Sequence, residues 1–99
     1  MIAKRAVVED IRRISADTVA IVLYFEQGRF AEASLRANFV LAGARRAGFR
    51  GIRDAAAALK LALRRPDRET INAVDSGLAT LVEEVERVSR ALDPMIGRP

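Results

Sequence analysis

An apolar stripe in the last third of the chain restricts the fold more than any other part of the sequence. Its members follow one another in alternating steps of three and four residues across three heptads. This spacing puts them along one side of an α-helix, where they form a seam that packs against other helices. The sequence therefore predicts a long helix with one packed side. The members of the seam are Ile71, Val74, Leu78, Leu81, Val85, Val88 and Leu92.

Residues at both ends of this stripe predict the limits of the helix. Asp67 follows Pro66 and is a candidate N-cap, because its carboxylate can accept hydrogen bonds from the free N–H groups of the first turn. Glu69 falls in that first turn, where the helix dipole favours a carboxylate. Pro94 is expected to end the helix.

Helix-breaking residues are few in the rest of the chain, which favours helices there as well. They are concentrated at Gly28, around Gly48 and at Pro66, and the segments between them have apolar residues at helical spacing. The segment from about residue 30 to 47 is rich in alanine. The next segment carries a second stripe, which consists of Ile52, Ala55, Ala56, Leu59 and Leu63.

The first third of the chain also has an apolar stripe at helical spacing, from Val7 to Phe25. Within it, Thr18–Phe25 is rich in β-branched residues and has the composition of a strand. The chain offers no second run of this kind to pair with it, and a lone strand is unstable, so a helix is predicted. Ser15 is a candidate N-cap, which leaves open a short separate helix in front of a longer one.

These segments predict one small helical domain over residues 1–99, with a tail from about residue 94. The chain has 99 residues, 51% of them apolar, which suffices for a single core. The connections around Gly28, Gly48–Gly51 and Pro66 are short, so that consecutive helices become antiparallel neighbours. The expected fold is all-α: an antiparallel up-down-up-down four-helix bundle, with a short extra N-terminal helix as an option.

The residue types that the chain lacks exclude much of enzyme chemistry. It has no Cys and no His, which excludes disulfides, thiolate nucleophiles, cysteine zinc sites and the commonest general base. The serines therefore have no imidazole to activate them. Glu83, Glu84 and Glu86 are expected on a solvated face. The sequence predicts no enzyme, no catalytic residue, no metal site and no cofactor.

Charge is unevenly distributed along the chain. Between Arg29 and Arg68 there are ten basic residues and three acidic ones, whereas the remainder has seven basic and ten acidic residues. A basic middle indicates an acidic partner surface or a polyanion. No targeting signal and no bilayer-spanning apolar run is recognisable, so a cytoplasmic protein without a membrane partner is expected.

The stretch from Arg36 to Phe49, RANFVLAGARRAGF, resembles the signature of histidine-phosphotransfer (HPt) domains. In that family the third helix of a four-helix bundle carries His-x-x-Lys-Gly, with another Gly ten positions after the His. Aligning that last Gly with Gly48 puts Asn38 at the His position, Leu41 at the Lys position and Ala42 at the first Gly. The resemblance extends over roughly residues 15 to 92 and implies an HPt-like bundle.

A second register of the same motif sets Gly43 as the first Gly and Phe39 at the His position, but it loses the match at Gly48. Neither register contains a His. The amide nitrogen of Asn38 is delocalised into its carbonyl, so that it can hydrogen-bond a phosphate but cannot accept a phosphoryl group. The resemblance therefore implies a degenerate HPt domain without phosphotransfer.

In the HPt family the helix face with the His docks against a receiver domain, and the resemblance implies the same face here. Spacing puts Asn38, Leu41, Ala42 and Arg45 on one helix face, with Leu41 as an exposed apolar contact and nearby arginines as a rim for an acidic partner. If the helix is rotated relative to this alignment, Leu41 lies in the core and the face is lost. The predicted partner-binding residues are Asn38, Leu41, Ala42, Arg45, Arg46 and Arg50.

The leading hypothesis is thus a pseudo-HPt adaptor, which binds a response-regulator receiver domain or a histidine kinase and modulates a phosphorelay without carrying phosphate. One alternative is a homo-oligomeric helical protein that uses the last-helix seam as its interface. A monomer is expected instead, because such a seam more often lies in a core. The other alternative is a nucleic-acid binder, which is less expected because only Tyr24 and four phenylalanines could stack on bases.

Overall fold

The computed structural model describes the backbone of residues 2–64 and 68–96, and the side chains of residues 5–64 and 71–92. These ranges contain four α-helices and no β-strand. The predicted all-α fold is therefore confirmed. The helices are α1 (Ile2–Glu26), α2 (Phe30–Ala47), α3 (Arg50–Leu63) and α4 (Arg68–Ile96).

The four helices form an elongated bundle in which each helix packs against two neighbours. Helix α1 contacts α2, α2 contacts α3, α3 contacts α4, and α4 returns to α1. The bundle measures 46 × 20 × 18 Å. The contact between α1 and α4 is the least extensive of the four helix–helix contacts, so that the bundle is packed more loosely there than at the other three.

The turns after α1 and α2 have the same backbone geometry. Gly28 and Gly48 adopt left-handed conformations, with φ of 73° and 79°. Such angles are readily accessible to glycine and costly for other residues. In each turn the next residue donates its N–H five positions back: Arg29 to the Tyr24 carbonyl (2.8 Å) and Phe49 to the Ala44 carbonyl (2.9 Å). These are Schellman motifs, and they explain why both helices end at the glycines marked by the sequence.

The stripes predicted for the third and fourth helices do face the core. All five members of the α3 stripe are buried. In the α4 seam, Val88 and Leu92 are half-buried and Ile71 is exposed, while the central members are buried. These central residues therefore belong to the core of the bundle. The buried members of the α4 seam are Val74, Leu78, Leu81 and Val85.

Helix α1 is continuous at Ser15, where the sequence permits a break between two helices. Ser15 lies inside the helix and not at its start. Thr18 is buried, and its hydroxyl donates to the Ile14 carbonyl one turn earlier (2.7 Å), so that its polar group is satisfied within the helix. The optional short N-terminal helix is therefore not formed. Asn38 consequently lies on the second helix of the bundle and not on the third.

The end of α4 also differs from the prediction. The helix continues past Pro94 to Ile96. Proline removes one backbone N–H, and near the end of a helix this interrupts few hydrogen bonds. The candidate N-cap Asp67 lies outside the described residues.

Helix α2 faces the core with small side chains. Its buried positions are mainly alanine and glycine, and only Val40 and Leu41 are large. The hydrogen atom in place of a side chain at Gly43 lets α1 come close, since a Cβ at that position would lie 3.3 Å from Ile14 Cγ1. The small residues of this face are Ala33, Ala37, Gly43 and Ala44.

Candidate functional site

The outer side of α2 presents apolar side chains to solvent, and we refer to Leu35, Phe39, Ala42 and Arg46 as the α2 outer face. Their spacing of four, three and four residues aligns them along the helix. Phe39 is 47% exposed, and Leu35 is also among the exposed large hydrophobic residues. This face is opposite the alanine-rich core side of the same helix.

An arginine holds the Phe39 ring from one side. The Arg36 guanidinium lies 5.7 Å from the ring centroid, within the range of a cation–π contact. The same side chain donates to Asp17 Oδ1 of α1 (3.1 Å). This hydrogen bond to Asp17 is the main reason why the pKa of Arg36 is raised above its ordinary value. Arg36 therefore stays charged and links the exposed ring to the neighbouring helix.

A second ion pair joins α1 and α2 nearer the C-terminal end of α2. Arg46 donates from Nε (3.2 Å) and Nη2 (2.9 Å) to Oδ1 of Asp10, which is buried except for about a tenth of its surface. Between this pair and the Asp17 pair lies a cleft of about 230 Å³. The cleft is lined by Phe39, Ala42, the two aspartates and neighbouring residues of α1. The site thus combines an exposed ring with fixed cations.

Leu41 does not belong to this face, which corrects the sequence prediction. It is only 8% exposed and is part of the core. The core side of α2 is centred on Ala37, Val40 and Ala44, and Leu41 lies about 100° around the helix from Val40, at the edge of that side. The rotated helix left open in the sequence analysis is therefore the one observed.

The other predicted partner-binding residues are only partly brought together. Asn38 is half-buried, whereas Ala42, Arg45, Arg46 and Arg50 are exposed. Ala42 and Arg46 lie on the α2 outer face, Arg45 flanks it, and Arg50 begins the next helix. Arg45 and Arg46 thus lie beside or on this face, and the exposed apolar residue next to them is Phe39 and not Leu41.

Leu35, Phe39 and Arg36 are the residues of this surface that the sequence prediction missed. The core side of α2 consists mostly of alanine, so the positions of its large apolar residues do not show which side is buried. The regular spacing of Ala33, Ala37 and Ala44 was the available signal, because small residues at such intervals indicate close helix packing.

The acidic run of α4 forms local ion pairs. Glu84 accepts from Arg87, with Oε2 to Nη2 at 2.6 Å, and Glu86 lies 3.7 Å from Arg90. Among the described residues, no group of three or more acidic side chains is arranged to hold a metal ion. Within this run, Glu84 and Glu86 are thus ion-paired, and Glu83 and Glu86 are exposed.

No protein-family model matches the chain, and no curated protein or solved structure is significantly similar to it. Within residues 2–64 and 68–96, none of the helices combines the length and the apolar character needed to cross a membrane.

Proposed function

We propose that this chain is a non-catalytic adaptor of two-component signalling, which binds a response-regulator receiver domain or a histidine kinase through the α2 outer face. The observation that carries the proposal is the exposed Phe39 ring, held by Arg36 and bordered by Arg46. Phenylalanine and arginine are both enriched at protein–protein interfaces relative to the rest of the surface. Exposed Arg45 beside this face adds positive charge that suits an acidic partner surface.

The resemblance to HPt domains supplies the class of partner. The second register aligns Phe39 with the His at which the family docks its partner, and the first aligns Asn38 with it. Phe39 is exposed and Asn38 is half-buried, so the second register places the more accessible residue at that position. In either register the position lacks an imidazole, so that the adaptor binds its partner without receiving a phosphoryl group. It competes with phosphorylatable HPt domains for the same partner.

Nucleic-acid binding has less support from the arrangement of the aromatic side chains. Tyr24 carries the Arg29 guanidinium over its ring, 4.9 Å from the centroid, so that this ring face is occupied. Phe25 and Phe30 pack against each other, with ring centroids 5.8 Å apart. Phe39 alone offers little of the successive stacking that single-stranded nucleic acids require.

The proposal is tested by calorimetric titration of the chain with purified receiver and kinase domains from its own cell. We expect at least one domain to bind in the micromolar range, and Phe39→Asp to weaken that binding by about ten-fold or more, because the ring contact is lost. Leu61→Asp is the matched control, since Leu61 is an exposed leucine of α3 (66%) and is not part of the α2 outer face. It should leave the affinity unchanged.

Two further measurements separate this function from the alternatives. Arg45→Glu should weaken the complex by about three-fold, mainly through slower association, and Arg12→Glu on α1 should have less effect. Incubation with a radiolabelled phosphorylated receiver should leave no label on the chain. The proposal is wrong if no domain binds, if label is transferred to the chain, or if duplex DNA binds instead with a steep salt dependence.

A further inference from the structure

A long apolar groove runs between α1 and α4, on the flank of α1 that faces away from α2. It consists of two adjoining depressions of about 450 and 500 Å³, which share Val22, Val82 and Glu86. Along α1 the groove extends from Ser15 to Glu26. At 1.5 Å per residue this is about 17 Å, or about three helical turns.

The groove exposes apolar side chains that no other part of the described chain covers. Val19 is 59% exposed and Leu23 is 50% exposed, although both lie on the rim of the groove. Val22 and Val82 form the floor where the two depressions meet and are half-buried. The size and apolar lining fit one face of a single amphipathic helix, the helix-in-groove mode of recognition.

The charges around the groove are mostly negative. Four carboxylates border it, and Arg90 is the basic side chain among the residues that line it. Glu86 is paired with Arg90, whereas the other three carboxylates have no ion-pair partner within the described residues. This acidic border contrasts with the net charge of +4 of the whole chain. The four carboxylates are Glu26, Asp75, Glu83 and Glu86.

We propose that this groove binds an amphipathic helix of a partner protein, with leucine-like anchors at i, i+3/i+4 and i+7 and with Lys or Arg on both sides of its apolar stripe. The anchors fill the two depressions, and the basic flanks meet the acidic border. The groove and the α2 outer face share no residue. This inference therefore does not rest on the proposed function, and the bundle can bind both partners at once.

The distribution of charge along the groove also sets the direction of the bound helix. Glu26, Asp75 and Glu83 lie in one depression, and Arg90 lies in the other. A helix carries partial positive charge at its N-terminus and partial negative charge at its C-terminus. Its N-terminus therefore lies near Glu26 and Asp75, so that it runs parallel to α4.

The test uses a synthetic peptide of about fourteen residues, roughly four turns, with leucines at the anchor spacing and lysines as flanks. Binding is measured by fluorescence anisotropy, and a second peptide with glutamates in place of the lysines serves as the charge control. We expect the lysine peptide to bind and the glutamate peptide to bind at least about ten-fold more weakly. Attraction to the overall charge of the chain would give the opposite order.

Variants of the chain locate the site. Leu23→Asp and Glu83→Lys should each weaken the lysine peptide by about ten-fold, because one removes an apolar contact and the other reverses a border charge. Their matched controls on α3 are Leu61→Asp and Asp54→Lys, which should change the affinity by less than about two-fold. All four positions are exposed, and thermal unfolding followed by circular dichroism verifies that each variant is folded.

Direction is read from NMR spectra with a spin label on the peptide. A label at the peptide N-terminus should broaden the amide signals of Glu26 and Asp75, and a label at the C-terminus those of Ser15 and Ser89. The inference is overturned if the glutamate peptide binds equally well or if the labels report the reverse direction. It is also overturned if Phe39→Asp, and not Leu23→Asp, abolishes binding. Sedimentation showing that a second copy fills the groove, as a dimer dissociated by Leu23→Asp, would likewise overturn it.

Discussion

Helix α1 has two packed flanks, and they differ in how close the neighbouring helix comes. Against α2 the approach is tight, since Gly43 brings the helices together at Ile14 and two ion pairs span the contact. Against α4 the contact is looser, and valines line an open groove. The difference follows from side-chain size, because alanine and glycine let helices approach closely, while valine and leucine hold them apart.

One flank of α1 thus serves the core, and the other forms a wall of the proposed binding groove. The α2 flank of α1 contributes more to stability, since Ile14 is buried there and Asp10 nearly so. The α4 flank leaves apolar surface in water, which lowers stability and provides the contact area for a partner. Mutations on the two flanks should therefore have effects of different size.

The largest difference is expected between truncations on the two flanks. Ile14→Ala should lower the free energy of unfolding by about 3 kcal/mol, because Ile14 is fully buried at the tight contact and truncation leaves a cavity. Val82→Ala in the groove should cost less than about 1 kcal/mol, since that side chain is only half-buried. Urea denaturation of both variants checks the ranking, and equal costs would contradict the two-flank comparison.

A smaller effect is expected from the ion pairs. Asp10→Ala should cost about 1 kcal/mol, because it removes a partly buried pair while Arg46 remains exposed enough to return to water. Glu86→Ala removes an exposed pair on the groove side and should change stability by no more than about 0.3 kcal/mol. Equal losses of stability in thermal unfolding of the two variants would show that the ion pairs contribute equally to the two flanks.

Two interior glycines measure how tightly the helices pack. Gly77→Ala should raise the free energy of unfolding by about 0.5 kcal/mol, because alanine favours helix and its Cβ would meet Leu59 Cδ1 at an ordinary 3.5 Å. Gly43→Ala should give no such gain, because its Cβ would press against Ile14 at 3.3 Å. Denaturant titrations of the two variants measure this difference in the free energy of unfolding. A larger gain at Gly43 would refute the tight contact.

The smallest effect is expected from pH. The chain has no His or Cys, so that no side chain of ordinary pKa titrates between about pH 6 and 8. The folded state raises the pKa of Arg36 through its bond to Asp17. The stability from this shift is thus fully present below the ordinary arginine pKa and is lost only in strong alkali. The midpoint temperature of thermal unfolding should therefore change little between about pH 6 and 8. A sharp change of this midpoint within that range would contradict the prediction.

The sequence predicted the helices well where large apolar residues alternate with polar ones. The stripes of α3 and α4 have strong contrast, so that the whole buried face of α3 and the central part of that of α4 were predicted correctly. The turns at Gly28 and Gly48 were also foreseen, because left-handed caps demand glycine. Local signals failed at Ser15 and Pro94, where a continuing helix was stabilised despite a residue that often marks a boundary.

The candidate site was predicted less well, for a physical reason that lies in α2. Its core side is mostly alanine and glycine, so that hydrophobicity does not distinguish inside from outside. Leu41 was expected outside and lies in the core, whereas Phe39, which only the second register put at the docking position, is exposed. The groove between α1 and α4 depends on the spacing of two helices far apart in sequence, which no local pattern encodes.

The two Schellman turns also make α2 intolerant of changes in length. They connect it to its neighbours through only three and two residues, which leaves no slack to absorb an insertion. One residue added inside α2 would rotate the part beyond it by about 100°. Placed before Phe39, such an addition would turn the ring away from its present direction while the flanking turns stayed fixed. Insertions and deletions between Phe30 and Phe39 should accordingly disrupt the α2 outer face, even where single substitutions are tolerated.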